Sequence, residues 1–227
     1  MRRLLIALVL CVLPSHGWAA QNVLQTDTFG GTEAANVTAY DAGWVLSGSA
    51  TVNQCKIRGT PGIGTTANIC GVHDTRQTWT DDQWGELLLD ATNVAGAKVG
   101  ITLRMVVDGA NKPNAFFCGF SSASSKYVIA KYTAGVYALI LAGSNTIATG
   151  DTVNCEVVGQ HVKLVITRSA AVLETIETDD ASFSTGSPGI LIHDTTSNRL
   201  AGSWRAGSVT ADAVIQSFSG FLGAILP

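Results

Sequence analysis

The sequence predicts an all-β sandwich, and three observations predict it. Of 227 residues only 14% are charged, glycine is frequent at 24 and proline scarce at 5. With abundant Thr, Ser, Val and Ala, this composition suits short strands and tight turns better than long helices. After Asp27, a strand-like stretch recurs about every eight to twelve residues with no long helix between, the pattern of a sandwich or barrel. The 46% hydrophobic content is ample for one buried core, and no repeat or linker marks a second domain.

Taken in order, the chain opens on "MRRLLIALVLCVLPSHGWAA". Two arginines, the apolar run Leu4 to Leu13 and the small-x-small end Gly17-Trp18-Ala19 read as a secretory signal over residues 1–20. The run is shorter than the roughly 20 residues a bilayer span needs. Losing Arg2 and Arg3 takes the formal charge from −3 to −5. No basic run follows Arg3, so nucleic acid is not an expected partner. The expected location is secreted, periplasmic or extracellular.

The domain is expected over residues 21–211. "GWVLSGSATVNQ" alternates after Trp44. "WGELLLDA" sets Trp84, Glu86 and Leu88 on one side and Gly85, Leu87 and Leu89 on the other. "AKVGITLRMVVDG" ends at the turn signal Asp108-Gly109. Then come "NAFFCGFSS", "KYVIAKYT", "VYALILAGS", "DTVNCEVVG", "HVKLVITRS", "AVLETIETD", "GILIHDT" and "GSWRAGSVT". Gly135 is placed in a hairpin turn. Residues 212–227 read as a closing strand and an apolar tail. The tail is expected to dock on the domain, since an exposed apolar end invites self-association.

An exported chain changes how cysteine reads. Cys55, Cys70, Cys118 and Cys155 remain after the signal, an even set in an oxidising compartment, which suggests two disulfides. "CKIRGTPGIGTTANIC" looks like two extended pieces around a loop, which favours Cys55–Cys70 and leaves Cys118–Cys155. The spacings do not match a zinc site.

The order of these features resembles the concanavalin A-like lectin/glucanase (laminin-G-like) superfamily, and more narrowly its bacterial and phage-borne members. The resemblance is carried by "DTF", "GWVLSGSATV", "DDQWGELLLD", "VGITLR", "KYTAGVYALILAGS", "GDTVNCEVVG", "HVKLVI", "STGSPGI" and "WRAGSV". It covers most of the mature chain. It implies a jelly-roll sandwich of two antiparallel sheets. It does not fix an activity, because the superfamily holds lectins, glucanases, lyases, adhesion modules and coat components.

Family-16 glucanases, as the resemblance implies, carry Glu-x-Asp-x-Glu on one strand. The closest stretch here is Glu86 to Asp90. Its outer acids face one way, but Leu88 takes the place of the middle carboxylate. With a rise of about 3.3 Å per residue the outer Cα atoms start roughly 13 Å apart, and a Glu–Asp pair is ill suited to closing that gap. The plain alternative is a strand glutamate and a turn aspartate. "KYTAGVY" is similar to the Tyr-Phe-Lys-x-Gly-x-Tyr segment of jelly-roll alginate lyases, matching Lys131, Tyr132 and Tyr137. That family's Gln-x-His motif is missing; "LIHD" supplies His193 without the Gln. There is no Gly-x-Ser-x-Gly elbow. His73, His161 and His193 are spread among different turns.

Three binding candidates are left. Trp79, Asp81 and Asp82 lie in the polar lead-in to a strand, where sandwich loops form sites. They offer a ring and two carboxylates to a sugar. Asp179 and Asp180 start a turn and, with backbone carbonyls, offer the hard oxygen ligands calcium takes, although no EF-hand-like loop is present. No other cofactor is expected. The expected function is a non-catalytic glycan-binding or adhesion module. A polysaccharide hydrolase or lyase, and a structural part of an extracellular or virion assembly, are the alternatives.

Overall fold

The computed structural model describes residues 20–30, 37–47, 55–57, 63–65, 68–90, 97–110, 112–194 and 199–210. The expected signal over 1–20, apart from Ala20, and the tail over 212–227 lie outside the described residues, as does the Cys70 side chain. β1 (Ala20–Asp27) is followed by a short helix α1 (Val37–Tyr40), an element the strand pattern does not announce. Fourteen further strands follow: β2 (Trp44–Ser47), β3 (Cys55–Ile57), β4 (Ile63–Thr65), β5 (Asn68–Asp74), β6 (Gln83–Leu89), β7 (Lys98–Val107), β8 (Pro113–Ser121), β9 (Lys126–Thr133), β10 (Val136–Ala142), β11 (Thr152–Val158), β12 (His161–Arg168), β13 (Ala171–Asp179), β14 (Ser187–Asp194) and β15 (Arg199–Thr210).

They form two antiparallel sheets, a jelly-roll sandwich. An eight-stranded sheet runs β13-β12-β11-β6-β15-β4-β3, with β1 beside β15. A seven-stranded sheet runs β10-β9-β8-β7-β14-β5-β2. The period-2 alternation builds the core between them. Leu87, Leu89, Cys155, Leu164 and Ile166 face inward from one sheet; Ile101, Leu103, Phe116, Cys118 and Ile190 face them from the other, all essentially inaccessible to water. Gly85 makes close apposition possible, since a Cβ there would lie 2.9 Å from the Ile101 side chain. At the β9–β10 hairpin both turn residues are left-handed, Ala134 at φ 48° and Gly135 at φ 77°, as a two-residue type I′ turn requires.

One disulfide crosses the core. Cys118 on β8 is bonded to Cys155 on β11, so the two sheets are covalently joined. Cys55 is also disulfide-bonded.

Two polar hubs tie the sandwich. Asp27 accepts from the Phe29 N–H, the Tyr40 hydroxyl and the Trp44 indole, while Arg76 bridges Asp74 and Asp41. At the second, buried Asp151 accepts from Arg168 through both oxygens (2.7 and 2.8 Å), from the Ala148 N–H and from the Tyr127 hydroxyl. Burial alone would raise the Asp151 pKa, yet the Arg168, Tyr127 and Ala148 hydrogen bonds hold it below its ordinary 3.8. A depressed carboxylate stabilises the fold above its unfolded pKa, and that contribution is lost as pH falls through the folded value. The urea midpoint is therefore expected to fall as pH drops below about 4. In Asp151→Asn this part of the acid limb should vanish, alongside a lower midpoint at neutral pH. An acid limb identical in the two proteins would refute the assignment.

Candidate functional site

At one end of the sandwich, four segments meet around Arg104. This residue lies in β7, where strict alternation would continue Gly100 and Thr102 on the outer face. The ladder is instead interrupted on both sides. Pairing with β8 slips between Leu103 and Val106, and pairing with β14 slips between Gly189 and Ser187. Arg104 sits in this bulge at φ 52°, a left-handed conformation that costs a non-glycine residue about 1–3 kcal/mol. Its side chain turns to the sandwich end and is buried.

The guanidinium then links three loops. Nε donates to the Asp81 carbonyl at 2.6 Å, and Nη1 donates to the Gly159 and Phe183 carbonyls at 2.7 and 2.8 Å. Nη2 reaches Asp82 Oδ1 at 3.4 Å, an oxygen that also accepts the Gly159 N–H at 2.8 Å. Desolvation lowers the Arg104 pKa, partly offset by Asp82 and Asp81. Guanidinium groups nonetheless stay protonated in proteins. Buried Gln83 splints the same place: its carbonyl accepts the Arg104 N–H, and its amide donates to the Thr80 and Gly186 carbonyls. Gly186 is required there; at φ 132° its Cβ would lie 2.4 Å from the Arg104 carbonyl carbon.

These contacts frame a cavity of about 380 Å³ lined by Asp81, Asp82, Arg104, Gly159, Gln160, Ala181, Phe183 and Ser184. Asp81 is exposed, and Asp82 is half-buried with only Oδ1 engaged by the described residues. Phe183 is steadied edge-to-face on Phe116 at 5.1 Å. The cavity therefore offers carboxylate oxygens as acceptors for hydroxyl groups beside an aromatic ring that can meet an apolar sugar face.

The structure brings together two of the three lead-in candidates. Asp81 and Asp82 share the cavity, but Trp79 is not among its lining residues. Its indole N–H donates to the Asp74 carbonyl at 3.0 Å and its ring packs on the core. Arg104, Gly159, Gln160, Phe183 and Ser184 are residues the sequence reading missed. An arginine between Leu103 and Met105, in a strand otherwise charged only at its first residue, Lys98, was the available signal.

Glu86 lies on the outer face of the eight-stranded sheet, held through both oxygens by Arg205 at 2.8 Å, and Asp90 falls past the end of β6. The Arg205 guanidinium also stacks on Trp84. Both Glu86 oxygens are thus spent in an ion pair. Tyr137 pairs with Tyr132 across the β9–β10 hairpin, and the two rings pack with Phe117 on the outer face of the seven-stranded sheet. Burial raises the pKa of Tyr137. Lys131 points to the opposite face, bonded to Asp180 at 2.9 Å and Ser182 at 2.7 Å, so the lysine and the tyrosines of "KYTAGVY" do not share a site. This outer face is apolar and closed to solvent at Phe117, Val128, Ala130 and Leu191.

Asp179 and Asp180 do not converge on a common point. Asp179 faces His161 Nδ1 at 2.9 Å, whereas Asp180 takes Lys131 and the Ser182 N–H. Adjacent residues near a strand end point apart, and each carboxylate has found its own partner. They do not fit calcium, and no cluster of three metal-ligating side chains occurs among the described residues.

No family model matches the sequence, and no curated protein matches it. Solved structures do share the fold. The carbohydrate-binding module CBM66 from Bacillus subtilis is 16% identical at a TM-score of 0.51, over 74% of this chain and 94% of that one. Domain 4 of AbnA, an extracellular GH43 arabinanase from Geobacillus stearothermophilus solved with arabinotriose, is 12% identical at 0.51, over 84% and 95%. A protein described with the endo-acting O-glycanases that human gut microbiota express to initiate mucin breakdown is 12% identical at 0.54, over 83% and 100%. At these identities the likeness is one of fold, the jelly-roll sandwich.

Proposed function

We propose that the chain is a secreted, non-catalytic glycan-binding module whose site is the cavity between Asp81-Asp82 and Phe183-Ser184. The carrying observation is the juxtaposition of unengaged carboxylate oxygens with a braced aromatic ring, on loops already locked by Arg104. Preorganised loops avoid the ordering cost that weakens sugar binding. The carbohydrate-binding names of the similar structures support the same reading, as does a fold that tolerates low charge and carries disulfide chemistry suited to the outside of a cell. With two aspartates set against one internally committed arginine, the cavity favours neutral over acidic glycans. No described helix is long and apolar enough to cross a membrane.

The test is a neutral and acidic glycan array followed by calorimetry on the mature protein. Asp82→Asn and Phe183→Ala are each expected to weaken the best neutral ligand about tenfold, the loss of a hydrogen bond or ring contact worth about 1–1.5 kcal/mol. No neutral ligand binding at millimolar concentration, or full affinity in both variants, would sink the proposal. Release of reducing ends from the bound polysaccharide would identify a hydrolase instead.

A further inference from the structure

The two sheet paths end in four strands, β13, β3, β10 and β2, with β1 beside β15 off the path, and three of these four ends are protected. β2 has four residues and β3 three, too short to template a partner strand. β13 carries Glu174, Glu177 and Asp179 along its nine residues. The fourth edge, β10, is different. Its sequence VYALILA has no charge and no proline over seven residues, and its large apolar side chains face water: Val136 is 68% exposed, Leu139 50% and Leu141 39%. Among the described residues it is hydrogen-bonded to β9 alone in the sheet order. Ile140 packs on the core by ordinary alternation, and the single register shift, between Leu139 and Leu141, leaves the stretch from Val136 to Leu139 regular.

We propose that β10 is a self-association edge, pairing antiparallel with β10 of a second copy about a two-fold axis. The occupant follows from the chemistry. A neutral strand attracts neither an acidic nor a basic partner by charge. An isologous pairing satisfies the open edges of both molecules with one contact and then closes. A two-fold at Ala138 sets Tyr137 beside Leu139 of the second copy, an aromatic–aliphatic cross-strand pair on one face. The same operation on β13 would bring acids against acids. One strand pair buries less than the standard interface of about 1,600 Å², so the dimer is concentration-dependent rather than obligate. This inference is independent of the glycan-binding reading.

Sedimentation of the mature protein up to about 1 mM tests it, a range that covers weak association. A monomer–dimer equilibrium is expected. Leu139→Lys, at a half-exposed position where folding is tolerant, should weaken it at least tenfold while leaving thermal unfolding at low concentration unchanged. Val172→Lys, at a still more exposed apolar position on β13, should leave it intact. A monomer throughout, a dimer that survives Leu139→Lys, or one abolished by Val172→Lys would each overturn the proposal.

Discussion

Replacing Cys118 and Cys155 together by alanine is expected to cost about 4 kcal/mol of stability. The bridge closes a loop of 37 residues, and the chain-entropy relation assigns a loop of that length about 3.8 kcal/mol at room temperature. The effect acts on the unfolded chain, which gains freedom once the sheets are no longer joined. It also acts on the native state, because both sulfurs are fully buried between β8 and β11 and the alanines leave part of that volume empty. For a domain of this size each kcal/mol shifts the melting temperature by about 2–4 °C, so a fall of about 8–16 °C is expected. Urea unfolding at fixed pH, with the native state checked by near-ultraviolet circular dichroism, measures the loss. A double variant within about 1 kcal/mol of the wild type would show that packing between the sheets carries what is here assigned to the covalent link.

Much of this architecture was legible in the chain because it obeys simple periodicity. The two faces of β6 followed from alternation: Leu87 and Leu89 entered the core while Glu86 stayed outside. Gly135 marked its hairpin, and the pairing of Cys118 with Cys155 followed by elimination once the stretch between Cys55 and Cys70 favoured joining those two. The candidate site was only half legible. Asp81 and Asp82 announced themselves as acids in a polar loop. The residues that complete the cavity did not, because Phe183 approaches Asp82 from about a hundred positions away and nothing local encodes that meeting. Trp79 misled for a related reason. An aromatic beside acids looks like a platform, but the indole found a buried carbonyl and a core surface first. Arg104 was hidden by the assumption of an ideal pleat. Its bulge redirects the side chain from the sheet face to the sandwich end, and a left-handed arginine leaves no trace in composition or spacing.

That bulge leads to the second large effect, which is expected of Arg104→Met. The methionine fills much of the arginine's volume but donates nothing. The Asp81, Gly159 and Phe183 carbonyls and the half-buried Asp82 carboxylate would then lose their donor at the wall of the cavity. Leaving part-buried carbonyls without their donor costs about 1–3 kcal/mol, while Asp82, being more than a third exposed, keeps its hydration and adds little. Arg104→Lys should recover little of it. One ammonium on a flexible stem cannot hold the fork geometry that reaches three loops at once. Alanine and glycine separate the side chain from the backbone. Both lose the guanidinium, but glycine also relieves the strain at φ 52°, so Arg104→Gly should be about 1 kcal/mol more stable than Arg104→Ala. Hydrogen exchange supplies a local readout. The Gly159 N–H, bonded to Asp82, should exchange faster in every variant, and the Leu164 amide in the core should change only as far as global stability does. Unchanged exchange at Gly159 would mean that the loops hold their positions without Arg104. The cavity would then owe its shape to Gln83 and the sheet ends, and the arginine would be left as a buried charge with no structural return for its backbone strain.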